Sequence, residues 1–262
     1  MSRIERAAYR SGWLKPASQR LPQFLVIGAT KAGTSWLYRN LQPHPALFLP
    51  TTKELHYFDR HFDEPLFMYT RHFRGGESKL RGEVTPAYSV LPPERIQFIR
   101  WLIPDARIVF IMRNPIDRIW SNAVYDLTRK GDKRTADALS RDELLSILDH
   151  ENLIARSDYP RILENWSSVY PEAQIQLLFY DQIRQDPRGL LRAVFAHLGV
   201  TQAVDWSRFP ISERFNAGPS STMPPDIRRM LEARYCPMIE QLYTRFGDSV
   251  ADWRCPRPDS EA

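Results

Sequence analysis

Phe24-Leu-Val-Ile-Gly-Ala-Thr-Lys-Ala-Gly-Thr-Ser-Trp-Leu37 begins as a short apolar run that ends at Gly28, and Trp36, Leu37 and the later Leu41 recur at helical spacing. A strand, a tight glycine turn and a helix start therefore follow one another. Such a turn aims backbone N–H groups and the positive end of a helix dipole at one point, which favours an anion. Gly28 and Gly33 are separated like the two glycines of a Walker A loop, and Ser35 stands where that motif has Ser or Thr, but Thr34 occupies the lysine position. The lysine is instead Lys31, inside the loop. There its ammonium can reach an anion's oxygens while Thr34 and Ser35 donate hydroxyl hydrogen bonds. Taken alone, these residues also fit a plain strand-to-helix turn with an exposed lysine.

The same alternation runs outward along the chain. Residues 23–29, 106–112 and 174–180 read as buried-type strands, and residues 81–84 as a short parallel one. Pro115 and Pro187 open helices, the second closing at Gly199. Further helices are expected over 141–156, 159–170 and 224–246, with Pro237 kinking or interrupting the last. Apolar strands alternating with amphipathic helices predict an α/β fold of P-loop type, three layers α/β/α around a central parallel sheet. No repeat or low-complexity segment divides the chain, so residues 1–20 read as an N-terminal extension and 21–262 as a single domain.

With 262 residues, 43% of them hydrophobic, the chain can bury one sizeable core. Its 36 Lys and Arg against 31 Asp and Glu give a net charge of +5, which suits an anionic ligand but is too small and dispersed for nucleic acid. Cys236 and Cys255 are too few for a disulfide scaffold and read as free thiols in a reducing compartment. Residues 1–20 lack a secretory-type apolar run and no stretch approaches a membrane span, so a soluble, cytoplasmic protein is expected. Six scattered histidines form no ligand motif, and no metal is expected.

The opening stretch resembles the 5′-phosphosulfate loop of sulfotransferases that use 3′-phosphoadenosine 5′-phosphosulfate (PAPS), particularly their heparan-sulfate-like and bacterial branches. Ile108-Val-Phe-Ile-Met-Arg-Asn-Pro-Ile-Asp-Arg-Ile-Trp-Ser121 resembles that family's 3′-phosphate segment, in the same chain order. Weaker matches continue through Lys53-Glu-Leu-His-Tyr-Phe-Asp59, Gly82-Glu-Val-Thr-Pro-Ala-Tyr88, Leu177-Leu-Phe-Tyr-Asp181 and Trp253. The resemblance implies that PAPS is the co-substrate and adenosine 3′,5′-bisphosphate the product. It implies binding by Lys31, Ala32, Gly33, Thr34, Ser35 and Trp36 at the loop, and by Arg113 and Ser121 at the 3′-phosphate. Asn216, Ala217, Gly218, Pro219 and Ser220 stand where a late loop closes over the nucleotide in that family.

Sulfuryl transfer needs in-line geometry, stabilised charge on the leaving oxygen and a group that takes the acceptor's proton. The resemblance gives the last role to Glu54, and His56 competes for it with an ordinary pKa closer to neutrality. In an alternating strand the two would share a face. Lys31 would follow the charge that builds on the bridging oxygen. Heparan-type enzymes commonly carry a lysine directly after the glutamate of the segment matching Gly82 to Tyr88, and this chain has Val84 there. That departure disfavours a highly sulfated polysaccharide and leaves a small-molecule, lipid or less anionic glycan acceptor, with a hydroxyl or amine to be modified. The competing readings are a P-loop kinase or NTPase, which calls for a Gly-Lys-Ser/Thr loop ending and a magnesium-binding aspartate after the second strand, and a nucleotide- or glycan-binding module without turnover.

Overall fold

The computed structural model describes residues 20–129, 136–215 and 221–256. Five strands, β1 (Phe24–Gly28), β2 (Leu47–Phe48), β3 (Leu80–Val84), β4 (Arg107–Met112) and β5 (Ile175–Phe179), form one all-parallel sheet in the order β2-β3-β1-β4-β5. Among the described residues ten α-helices connect and flank them: α1 (Thr34–Leu41), α2 (Leu66–Thr70), α3 (Pro93–Leu102), α4 (Pro115–Arg129), α5 (Arg141–Leu148), α6 (Glu151–Ala155), α7 (Tyr159–Ser167), α8 (Gln182–Gln185), α9 (Pro187–Leu198) and α10 (Pro225–Phe246). Every residue of β1 is buried, as is β4 from Ile108 to Met112. Successive side chains point to opposite faces, so both faces of the sheet are covered, the arrangement a parallel sheet requires.

Local chemistry sets the element ends. Pro115, Pro187 and Pro225 stand at first helical positions, where a missing N–H costs nothing. Gly199 closes α9 in the left-handed conformation, at φ 69°. The single helix expected over 141–156 is two helices. His150 takes an extended conformation between α5 and α6, and its ring nitrogen accepts from the Asn152 N–H, capping α6. Pro237 does not interrupt α10. It lies exposed, as does Ala233 one turn earlier, so water can take the carbonyl that the proline leaves unpaired. The strand β2 and the helices α2 and α3 had no counterpart in the sequence reading.

Behind the carboxyl end of β3 lies a buried carboxylate. Glu83 accepts from the hydroxyls of Tyr69, Thr85 (2.8 Å) and Tyr88 (3.3 Å), and burial pushes its pKa up to about 7 against those hydrogen bonds. Tyr88 Oη in turn accepts the Phe58 N–H at 3.3 Å. The cluster ties residues 57–59 to β3 and acts as structural bracing.

Cys236 and Cys255 are bonded to each other across Cα atoms 5.9 Å apart, which corrects the expectation of free thiols. The turn after α10 returns Cys255 against the helix, a proximity that sequence spacing alone does not reveal. The cysteine argument for a reducing compartment therefore falls away. Among the described residues no helix is long and apolar enough to cross a membrane. The bridge closes a segment with a sequence separation of 19, for which chain entropy gives about 3 kcal/mol. Cys255→Ser should lower the denaturant midpoint, and reduction of the unmodified protein should lower it to a similar extent. Thiol titration of the unfolded, unreduced chain should find no free cysteine; two free thiols would restore the original reading.

Candidate active site

In a parallel sheet all strands end on one edge, and the loops after all five strands meet there. They enclose a cleft of about 1230 Å³. Lys31, Gly33, Thr34, Ser35, Trp36, Glu54, His56, Arg113 and Ser121 all line it. Ala32 lies beneath the lining: it is fully buried, and its N–H donates to the Ala29 carbonyl within the loop at 3.2 Å. Asn216, Ala217, Gly218, Pro219 and Ser220 lie outside the described residues.

The loop turns through two left-handed residues, Lys31 at φ 65° and Gly33 at φ 87°. A Cβ at Gly33 would come within 2.3 Å of Ile183 Cδ1 and 3.2 Å of the Tyr180 ring, so glycine is needed for space as well as conformation. Lys31 places its Nζ 4.2 Å from the centre of the Tyr125 ring. Burial and, after it, the nearby Arg113 charge lower its pKa. Arg113 donates to the Lys31 carbonyl at 2.9 Å and lies 4.7 Å from the Tyr180 ring centre, while the Tyr159 hydroxyl clasps its backbone. Among the described residues no carboxylate forms an ion pair with Arg113, so its charge is available to a ligand. Ser121 follows on α4, and Tyr125 lies one turn beyond it.

Glu54 and His56 share the cleft, although not through the alternation of a strand. Both adopt left-handed backbone in a loop, at φ 65° and 54°, and the Glu54 N–H donates to the carbonyl of Val84 at the end of β3. His56 Nδ1 meets Asp59 at 2.9 Å and its Nε2 lies 3.4 Å from Glu54 Oε2. Lys53 Nζ donates to the other oxygen, Oε1. Burial disfavours the Glu54 charge, but the His56 and Lys53 contacts outweigh it and hold the pKa at about 2. The hydrogen bonds to Asp59 and then Glu54 raise His56 to about 9 against the opposing effect of burial. At neutral pH the pair is therefore carboxylate and imidazolium. A protonated imidazole has no lone pair for an incoming proton, which leaves Glu54 as the base-competent member.

Sequence reasoning missed several participants. Lys53 and Asp59 were inside a quoted segment, and their alternation of charge with Glu54 and His56 was the available signal. Tyr125, at i+4 from Ser121, was detectable from helical spacing. Tyr180 lay inside the quoted segment Leu177 to Asp181, and Arg156 ends the stretch from Asp126 that the sequence reading assigned to the acceptor pocket; both line the cleft.

The fold finds its counterparts among known proteins. A sulfotransferase from Alicyclobacillus acidocaldarius superposes with a TM-score of 0.69 at 26% identity, covering 90% of this chain and 99% of the other. Mouse sulfotransferase SULT7A1, solved in complex with PAP, shares the fold at a TM-score of 0.54 and 14% identity, covering 96% of this chain and 92% of its own. Human heparan sulfate glucosamine 3-O-sulfotransferase 3A1 is 28% identical over 201 residues, which are 75% of this chain and 48% of that protein. The chain thus spans about half the length of the curated relatives it matches. Residues 21–208 match the family model described as a sulfotransferase domain, and the chain belongs to that family.

Proposed function

We propose that the protein is a PAPS-dependent sulfotransferase that modifies a hydroxyl or amine of a small-molecule, lipid or glycan acceptor. The observation that carries this reading is the joining of two cations at one loop, Arg113 bonded to the Lys31 carbonyl, in the same cleft as the Lys53–Glu54–His56–Asp59 cluster. The donor set suits PAPS. A helix start with Lys31, Thr34 and Ser35 offers hydrogen bonds and positive charge to a phosphosulfate, and Arg113 with Ser121 offers a fork and a hydroxyl to a 3′-phosphate. PAPS supplies an activated sulfuryl group on a bisphosphate leaving group.

The chain's own residues then have separable tasks. Glu54 takes the proton from the acceptor as the acceptor atom bonds to sulfur. The bond from sulfur to the bridging oxygen breaks, and the electron pair stays with that oxygen beside the Lys31 ammonium. His56, held by Asp59, and Lys53 fix the two Glu54 oxygens and aim them. A carboxylate with a pKa near 2 is a weak base. The negative charge of a bound donor opposes its ionisation, raises that pKa and makes Glu54 more basic when the site is loaded. The 28% identity to heparan sulfate glucosamine 3-O-sulfotransferases supports a sugar hydroxyl among the possible acceptors. A kinase or NTPase is disfavoured because Thr34 stands at the Walker lysine position and Arg113 follows β4 in place of a magnesium-binding aspartate.

Thermal unfolding with adenosine 3′,5′-bisphosphate, ATP-Mg or no ligand tests the donor assignment. The bisphosphate should raise the midpoint, by about 2.7 kcal/mol of stabilisation at a hundredfold excess over Kd, and ATP-Mg should add far less. Stabilisation by ATP-Mg alone rejects the reading. Glu54→Gln should leave bisphosphate binding within about twofold and reduce turnover by roughly 10²–10⁴; near-normal turnover would move the base elsewhere.

The ion cluster also predicts a pH window. His56 has a folded pKa near 9 against an ordinary 6.5, so its stabilising contribution is complete below 6.5 and is lost as pH rises through 9. Glu54, lowered from 4.5 to about 2, contributes fully above 4.5 and loses its effect as pH falls through 2. The stability difference between wild type and His56→Gln should thus be largest between pH 4.5 and 6.5 and shrink towards pH 9. A difference that stayed constant over that range would exclude the charged clamp.

A further inference from the structure

Arg156 follows α6 and lines the cleft together with Lys53, Glu54, Arg60 and Asp126. Its side chain is partly buried, its Nε is shut off from solvent without a hydrogen-bond partner, and among the described residues it enters no salt bridge. The carboxylates around it are engaged elsewhere. Asp126 accepts from Asn122 at 2.8 Å, Glu54 holds Lys53 and His56, and Asp59 holds His56. Burial is the main influence that lowers the Arg156 pKa, and the charges felt most are Asp126, Arg60, Glu54 and Asp59. Those neighbours place Arg156 on the wall that holds the base.

The residue is also held firmly from behind. Arg118, fully buried on α4, donates through Nε to Ser157 Oγ at 3.1 Å and through Nη2 to the Leu153 carbonyl at 2.8 Å. Ser157 Oγ donates to the same carbonyl at 3.2 Å. The backbone is thus pinned on both sides of Arg156. A partly desolvated guanidinium without a direct ion-pair partner is costly even with carboxylates nearby, and an incoming oxyanion relieves that cost with a planar, two-pronged contact.

We propose that Arg156 is the acceptor-recognition residue, and that the acceptor carries a carboxylate or sulfate which Arg156 binds beside the group that Glu54 deprotonates. This rests on the sulfotransferase reading and deepens it. Lys53 and Arg60 line the same wall, and a neutral acceptor would leave Arg156 without a direct anionic partner. Arg118 is then a positioning residue that acts through the turn it anchors.

Calorimetric titration of the full chain, saturated with adenosine 3′,5′-bisphosphate, tests this with three probes that share one aglycone: 4-nitrophenyl β-D-glucuronide, 4-nitrophenyl sulfate and 4-nitrophenyl β-D-glucoside. At least one anionic probe should bind about tenfold or more tightly than the glucoside, and which one does separates carboxylate from sulfate recognition. Arg156→Gln should reduce that probe to the level of the glucoside, Arg156→Lys should retain part of the preference, and both should bind the bisphosphate as wild type does. Equal binding of anionic and neutral probes by wild type overturns the proposal, as does an unchanged preference in folded Arg156→Gln. A loss of bisphosphate affinity in both Arg156 variants would assign the residue to the donor and overturn it equally. Failure of wild type to bind the bisphosphate would instead count against the donor reading.

Discussion

Parallel alignment of β1, β3 and β4 is the constraint on which the rest of the site depends. Because these strands run in one direction, their carboxyl ends emerge together, and the loops after them deliver Lys31, the anchor for Glu54, and Arg113 to one edge. The constraint rests on burial. β1 has no exposed residue on either face, so the sheet must be covered on both sides around it. The chemistry is accordingly carried by irregular backbone whose starting points are fixed by a rigid core, a common division of labour in α/β domains.

The cleft balances charge in a way that no single residue suggests. Lys31, Lys53, Arg113 and Arg156 are cations in one enclosure, and an imidazolium joins them at neutral pH. His56 and Lys53 hold Glu54 at a pKa near 2 against the effect of burial. Its low pKa belongs to the cleft without its anionic co-substrate, whose arrival alters the local charge. In the proposed reaction, donor binding and proton transfer to Glu54 are thereby linked through electrostatics.

The sequence disclosed the fold wherever hydrophobic periodicity and its punctuation coincided. The strands around Val26, Val109 and Leu177 and the helices opened by Pro115 and Pro187 were legible because apolar runs met glycine or proline at their ends. The two-residue strand β2 is too short to carry a period, and the break at His150 depends on a cap that an amphipathic pattern cannot show. At the site, Lys31, Glu54 and Arg113 were visible within local segments. The protonation of His56 was not, because it follows from Asp59 and Glu54 approaching opposite sides of one ring. The Cys236–Cys255 bridge was hidden for a similar reason, since it depends on how a separate turn folds back against the helix.

The backbone bond from the Glu54 N–H to the Val84 carbonyl has a consequence for dimensional tolerance. Val84 pairs with Val26 of β1, and the next residue, Thr85, donates to the Val26 carbonyl at 3.1 Å. The carrier of the base and the carrier of the phosphate loop are thus referenced to adjacent strands, whose separation of about 4.8 Å is a property of hydrogen-bonded peptide chains and not of any side chain. Substitutions on the cleft walls can reshape what enters from the acceptor side while that reference distance stays the same. In the proposed function, the domain can therefore vary its acceptor without having to re-establish the spacing between Glu54 and the loop that carries Lys31.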